Sequence, residues 1–330
     1  MVGREESGVT AQTRGAAEAA DRGAPADPSP TDRPARATPR HGREHALAYL
    51  FLVPSTIVFA LFVVWPLGDS IYLSLHGSDL FGGASVFVGL DNYRDMFTSA
   101  EFGRVLLNTV EFVLLTVVPG VLGALAVVLL LEAQLRGVRV LRTAFALPFA
   151  FSVATASVIF SVIYNYQIGL ANGILGFLGI GKVGWTTDPH VAMISLALTT
   201  VWMNLGYNVL VLSAGVGSIP TEVMEAARLD GASGPKLARR IILPLLSPQL
   251  FFLVVVTTIQ SLQSFGQIHI LTRGGPDNST TTLVYSIYKK AFAFGSSDFG
   301  TASAQAMVLL VIVLACTGIQ FGLLQRKVHY

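Results

Sequence analysis

Only one cysteine, Cys316, stands in the chain, so no internal disulfide can form. Its place in an apolar run makes it a small packing residue. Charge is also scarce: Asp, Glu, Lys and Arg together make 13% of residues against 52% hydrophobic. No Lys or Arg falls inside any long apolar run, and the six His show no metal-ligand spacing with the lone Cys. No Ser/His/Asp arrangement can be argued either, so the sequence offers no catalytic residue and no metal site. The opening 45 residues lack the apolar stretch of roughly 7–15 residues that a secretory signal needs. They mix Ala, Pro, Arg and acids without periodicity, which predicts a disordered tail over 1–45.

What the chain has in abundance is apolar length. A mean hydropathy of +0.60 over 330 residues excludes a soluble domain and calls for lipid as solvent. Six runs reach the ~20 residues that a membrane helix requires: 48–75, 105–131, 144–165, 191–213, 248–270 and 302–324. Pro54, Pro66 and Pro119 lie within them and predict kinks. With the tail inside, sixteen of the 22 Lys and Arg fall on cytoplasmic segments, among them Arg136, Arg139, Arg142, Arg326 and Lys327. This asymmetry places both termini in the cytoplasm. The predicted fold is all-α and integral to the membrane, with six helices over 46–330.

The loop 214–244 breaks the apolar pattern. Its stretch "EAARLDGASGPKLARRIILP" carries six charges, four of them basic. Ser218 reads as an N-cap, Pro220 as first-turn and Gly231 as the left-handed stop. Ser233 and Pro235 then start a second short helix that ends before Pro244. One face of the first helix carries Val223, Ala226 and Ala227, whose small side chains let another protein surface come close, with Glu225 and Arg228 beside it.

Polar groups inside spans are costly unless they face protein or water. In the fifth run Thr257, Gln260, Ser261, Ser264 and Gln267 share one helical face, and in the fourth Asn204, Tyr207 and Asn208 do the same. These side chains either line a solute pathway or hydrogen-bond helix to helix, at about 0.6–2 kcal/mol each. Glu111 is a carboxylate inside the second run. Two nucleotide-loop patterns are rejected: Gly176 to Lys182 is followed by Val183 where Ser or Thr is needed, and Gly179, Gly181 and Gly184 follow no strand. Asn278-Ser279-Thr280 is read as a turn.

The order Glu225-Ala226-Ala227, Gly231, Ile241 and Leu243-Pro244 resembles the cytoplasmic signature of permease subunits in binding-protein-dependent ATP-binding-cassette importers. The resemblance implies a type I importer permease fold and a coupling helix that inserts into an ATPase cleft. Glu225, Ala226, Ala227, Arg228, Asp230 and Gly231 would carry that contact, with Ala226 and Ala227 packed in the cleft. It also implies the partners: a second permease subunit, two ATP-binding subunits that hold ATP and Mg, and an external solute-binding protein, with no cofactor in this chain and a bacterial plasma-membrane location. "FVGLDNY" (87–93), "YNVLVLSAGVGSIP" (207–220), "GGPDNSTTTLVYSIYKKAF" (274–292) and "KVHY" (327–330) resemble the carbohydrate-uptake branch. Within it they look most like the first permease of importers for glycerol-3-phosphate and glycerophosphodiesters such as glycerophosphocholine. Sugar permeases share much of this wording, so a di- or oligosaccharide stays open, as does a self-sufficient secondary transporter.

Overall fold

The computed structural model describes residues 41–79, 83–132, 138–293 and 297–324. Residues 1–40, Arg136, Arg326, Lys327 and the "KVHY" terminus lie outside them. Two units are separated after Val58. In the first, α1 (His41–Phe59) begins earlier than composition suggested, so residues 41–45 belong to a helix and not to the tail. Pro54 sits inside α1 without ending it.

The second unit begins at Phe59, the last residue of α1, and continues with a π turn, Ala60–Val64, followed by α2 (Trp65–Ser74). The turn has a cause. Pro66 lacks an N–H and its ring crowds the carbonyl four residues back, at Phe62, which lies in the widened turn. The same device recurs at Pro244, whose crowded residue Arg240 lies in a second π turn, Ala238–Ile242.

An antiparallel hairpin of β1 (His76–Ser78) and β2 (Ala84–Phe87) comes next, with His76 opposite Phe87. Then come α3 (Asp91–Thr98) and the long α4 (Ala100–Glu132), which runs through Pro119. The "FVGLDNY" stretch now has a physical reading. Asn92 donates to the carbonyls of Ser74 and His76, both at 2.9 Å, and the Tyr93 hydroxyl donates to Ser74 Oγ at 2.8 Å. Those bonds tie α3 back onto the end of α2.

The third apolar run is broken. α5 (Val138–Ala146) passes through a 3₁₀ turn, Leu147–Ala150, into α6 (Val153–Ile163), with a bend of 109° between the helices. Pro148 tightens the turn, and Ser152 restarts the helix by accepting the N–H of Thr155 at 3.1 Å. A short α7 (Leu170–Phe177) leads to α8 (Pro189–Gly217), capped by Asp188. After it come α9 (Thr221–Leu229), α10 (Pro235–Leu237), the π turn and α11 (Leu243–Leu245). This last limb meets α12 (Ser247–Leu262) at a 69° bend. The chain closes with α13 (Gly266–Leu271), α14 (Leu283–Phe292) and α15 (Phe299–Leu324).

Among the described residues four helical stretches are long and apolar enough to cross a membrane, and two bent pairs bring the number to six. Counting each bent pair as one span matches the six expected runs, with two corrections: the third run is bent between α5 and α6, and the fifth, 248–270, is interrupted after Leu262, the 69° bend lying just before that run, where the loop limb meets α12. The sharp bends follow Pro148 and Pro244, not Pro54 or Pro119.

The largest core joins α4, α8 and the loop limbs to α12. It contains Val121, Ala124, Val128, Leu212, Ile242, Leu246 and Leu253. Polar pairs cross the same seam. Thr116 and Ser261 share a hydrogen bond at 2.7 Å between buried hydroxyls. A double-mutant cycle with Thr116→Val and Ser261→Ala is expected to give a coupling of about 0.6–1.7 kcal/mol, the range for hydrogen bonds between membrane helices. Additive losses in thermal stability would show that the pair contributes nothing jointly.

Candidate functional site

The charged loop folds as two helical limbs about a sharp turn, and its local chemistry explains why. α9 ends on Asp230, with Gly231 at φ +78°. Ala232 N–H bonds the Ala227 carbonyl at 2.9 Å and Gly231 N–H bonds the Arg228 carbonyl at 3.0 Å. These are the two bonds of a Schellman stop, and glycine accepts the left-handed backbone without strain. At the other end the expected cap is corrected. Ser218 closes α8 instead, donating its hydroxyl to the Gly215 carbonyl at 2.7 Å, and Pro220 stands at the N-cap of α9. The second limb does not stop before Pro244, because the π turn lets it run on to Leu245.

Which face the loop offers also differs from the expectation. Ala227 is only 7% exposed and packs into the core with Leu237 and Ile242. It is turned away from any external cleft. The outward face is made by Glu222, Glu225, Ala226 and Leu229, spaced three, one and three residues apart. Leu229 is 89% exposed, an apolar side chain held out on a capped helix end. The sequence reading passed over it, although the i, i+3, i+4 pattern running on from Glu225 and Ala226 would have found it. Arg228 and Asp230 are exposed beside this face, as are Lys236, Arg239 and Arg240 on the second limb. α9 thus has an acidic and alanine-lined outer face, an apolar tip and a buried base.

The polar stripe is divided by the structure. α12 stops at Leu262 and α13 starts at Gly266, so Ser264 and Gln267 are not on the helix that carries Thr257 and Ser261. Thr257, Ser261, Gln267 and Asn208 are buried. Ser261 pairs with Thr116, Gln267 donates to Thr200 Oγ1 at 3.3 Å, and Asn208 donates to the Gly120 carbonyl at 3.5 Å. Thr257 bonds the Leu253 carbonyl of its own helix. These side chains join α4, α8, α12 and α13. Gln260 is exposed, while Ser264, Asn204 and Tyr207 are half-buried, and the Tyr207 ring lies 6.0 Å from that of Phe149. Glu111 is exposed on α4, and Asp69, a second carboxylate within the first span, is exposed on α2.

Beyond α13 the "GGPDNST" stretch is a knotted turn. Asn278 has φ +57°, and Thr281 donates to the Gly274 carbonyl at 2.9 Å. Asn108 of α4 donates to the carbonyls of Asn278 and Thr281. The rejected nucleotide-loop glycines lie at the end of α7 and in the turn after it, with no strand before them.

Apolar spans and an exposed, charged helical loop between them together define a multi-pass membrane protein. The profile of the family described as binding-protein-dependent transport system inner membrane component matches residues 137–330, and the chain belongs to that family. It is 34% identical over 289 residues to the sn-glycerol-3-phosphate transport system permease protein UgpA of Pectobacterium atrosepticum, covering 87% of this chain and 97% of that one. The corresponding protein of Agrobacterium fabrum is 35% identical over 287 residues, covering 86% and 96%. Among solved structures, a chain of the bacterial alginate ABC transporter in complex with an alginate pentasaccharide-bound periplasmic protein superposes with a TM-score of 0.74. It is 22% identical and covers 86% of this chain and 96% of that one, a likeness of fold.

Proposed function

We propose that this chain is one of two membrane subunits of an ATP-driven importer, and that its solute is sn-glycerol-3-phosphate or a glycerophosphodiester such as glycerophosphocholine. The observation that carries the importer reading is the capped α9, with Glu225, Ala226 and Leu229 outward and Ala227 inward. Such an element receives force from a partner. ATP and Mg would be held by two separate ATPase subunits, and a solute-binding protein outside the membrane would deliver the solute. With six crossings the α4–α5 connection, the α9 loop and both chain ends would share one side, and the surplus of Lys and Arg supports that side as the cytoplasmic one.

The solute class rests on the relatives' function. Inside the six apolar runs of the sequence the chain has no Lys or Arg to meet a phosphate, so hydroxyls, amides or the partner subunit would do so. A di- or oligosaccharide is the second reading, supported by the sequence wording shared with sugar permeases.

The deciding experiment is uptake by the reconstituted complex, with its cognate binding protein, of labelled glycerol-3-phosphate and glycerophosphocholine against labelled maltose. ATP-dependent uptake of the phosphate compounds alone supports the first reading, and uptake of maltose alone replaces it with the second. In the same assay Gln260→Leu, at the exposed amide of α12, is expected to lower uptake about tenfold with assembly intact, the loss of one hydrogen bond to solute. Unchanged uptake removes Gln260 from the pathway.

A further inference from the structure

The connection between α6 and α8 holds a helix that the transport reading leaves without a role. α7 has eight residues, too few to cross a bilayer. On the six-span reading proposed above, α6 and α8 belong to consecutive spans, so the residues joining them lie on one side of the membrane whichever way the chain is oriented. Leu170, Ile174 and Phe177 fall on one face of α7, Leu178 follows at its C-cap, and all are exposed, Phe177 at 92%. Ile168, just before the helix, is 85% exposed. No charged residue occurs from Ser152 to Gly181.

The opposite side of α7 is pinned. Asn172 is buried, its amide donates to the carbonyls of Tyr166 and Val183, and its carbonyl accepts from Val183 N–H at 2.9 Å and Trp185 Nε1 at 3.0 Å. Trp185 in turn stacks on Tyr164, with ring centroids 5.6 Å apart. The helix is thus held with its apolar side outward instead of folded onto the protein. Val158, Ile159 and Val162 of the preceding α6 are exposed as well. Beyond the far end of α7, Lys182 places its ammonium 5.6 Å from the centre of the Tyr166 ring. Tyr, Trp and Lys are the residues that settle at headgroup level.

We propose that α7 is an interfacial anchor, whose Leu170–Ile174–Phe177–Leu178 face lies in the headgroup–acyl boundary with phospholipid as its occupant. In the orientation given above this is the outer leaflet. A protein partner would ask for hydrogen bonds, roughly one per 100–200 Å² of interface, and these four side chains offer none. Lipid asks for none, and a pinned amphipathic helix between two span ends is where it would meet them. The anchor holds the outer ends of α6 and α8 at a fixed depth.

The test places an environment-sensitive dye on Phe177→Cys in a Cys316→Ser background, in the assembled importer and in the isolated chain, both in nanodiscs of phosphatidylethanolamine and phosphatidylglycerol. Lipids spin-labelled near the headgroup are expected to quench the dye severalfold more than iodide in the buffer, and Thr187→Cys is expected to show the reverse. Two results overturn the proposal. One is a dye at 177 that follows iodide as the dye at 187 does. The other is lipid quenching that is present in the isolated chain and lost on assembly, which would give the face to a protein partner. Phe177 is nearly free of contacts, so its replacement leaves the fold intact.

Discussion

Reversing the charge at Glu225, or placing Glu at Leu229, is expected to abolish ATP-driven uptake while the chain still inserts and still pairs with its partner permease. Both side chains stand on the outward face of α9, and neither is buried in this protein. A folding defect is therefore not the expected cause of the loss. At a docked interface Glu225→Lys sets a like charge against any basic group that receives the carboxylate, a penalty of several kcal/mol. Leu229→Glu puts a charge where an apolar tip is seated, and even a loss of about 1.4 kcal/mol is tenfold in affinity. The measurement is ATPase retention on the purified permease pair, alongside ATP hydrolysis with and without loaded binding protein. Wild-type retention and stimulation in both variants would remove α9 as the point of attachment. Ala227→Leu is the useful contrast: it overpacks a buried site and should lower stability by about 1–3 kcal/mol before it affects docking.

Gly206→Leu is expected to be the most disruptive single change within the spans. A Cβ at Gly206 would stand 3.0 Å from the Ala146 carbonyl oxygen and from Phe149 Cβ, and 3.1 Å from the Phe145 carbonyl oxygen. Two of these are backbone atoms and cannot rotate away, so α8 must move off the bent third span. A cost of about 3 kcal/mol, the upper end for overpacking, should appear as a lowered melting temperature and a broadened elution profile of the detergent-solubilised complex. Gly217→Leu near the end of the same helix has nothing within 4 Å of the new Cβ and should be near neutral. Equal effects at the two sites would mean that helix propensity, not close approach, governs α8.

Much of this was legible before any coordinates. Apolar length gave six candidate crossings, which the helices match when each bent pair counts as one, and the charges of residues 225–244 marked the loop that stands apart from them. Gly231 was read as the left-handed stop and is one. What the sequence hid has identifiable causes. Hydropathy reports that a run is apolar and says nothing about its direction, so the bend after Pro148 was invisible although its proline and serine signals were present. Alanine suits a core as well as a crevice, which is why Ala227 was assigned to the wrong side. The break after Leu262 defeated a spacing argument that assumed one straight helix through Gln263, Ser264 and Phe265. Thr116 and Thr200 were missed because a threonine in a helix can bond its own backbone, as both also do, and gives no outward sign of a partner on another span.

The burial of Ala227 bears on the direction in which work can flow. Its contacts continue through Leu237, Ile242 and Leu246 to Leu253, and against Val128 and Leu212 on neighbouring spans. Dense packing resists compression and separation alike. α9 is therefore seated as a gear tooth is on its wheel, and not hung as a cord is. A push from the ATPase should be transmitted as fully as a pull, and rearrangements of the spans around a solute should be felt at Glu225 and Leu229 in return.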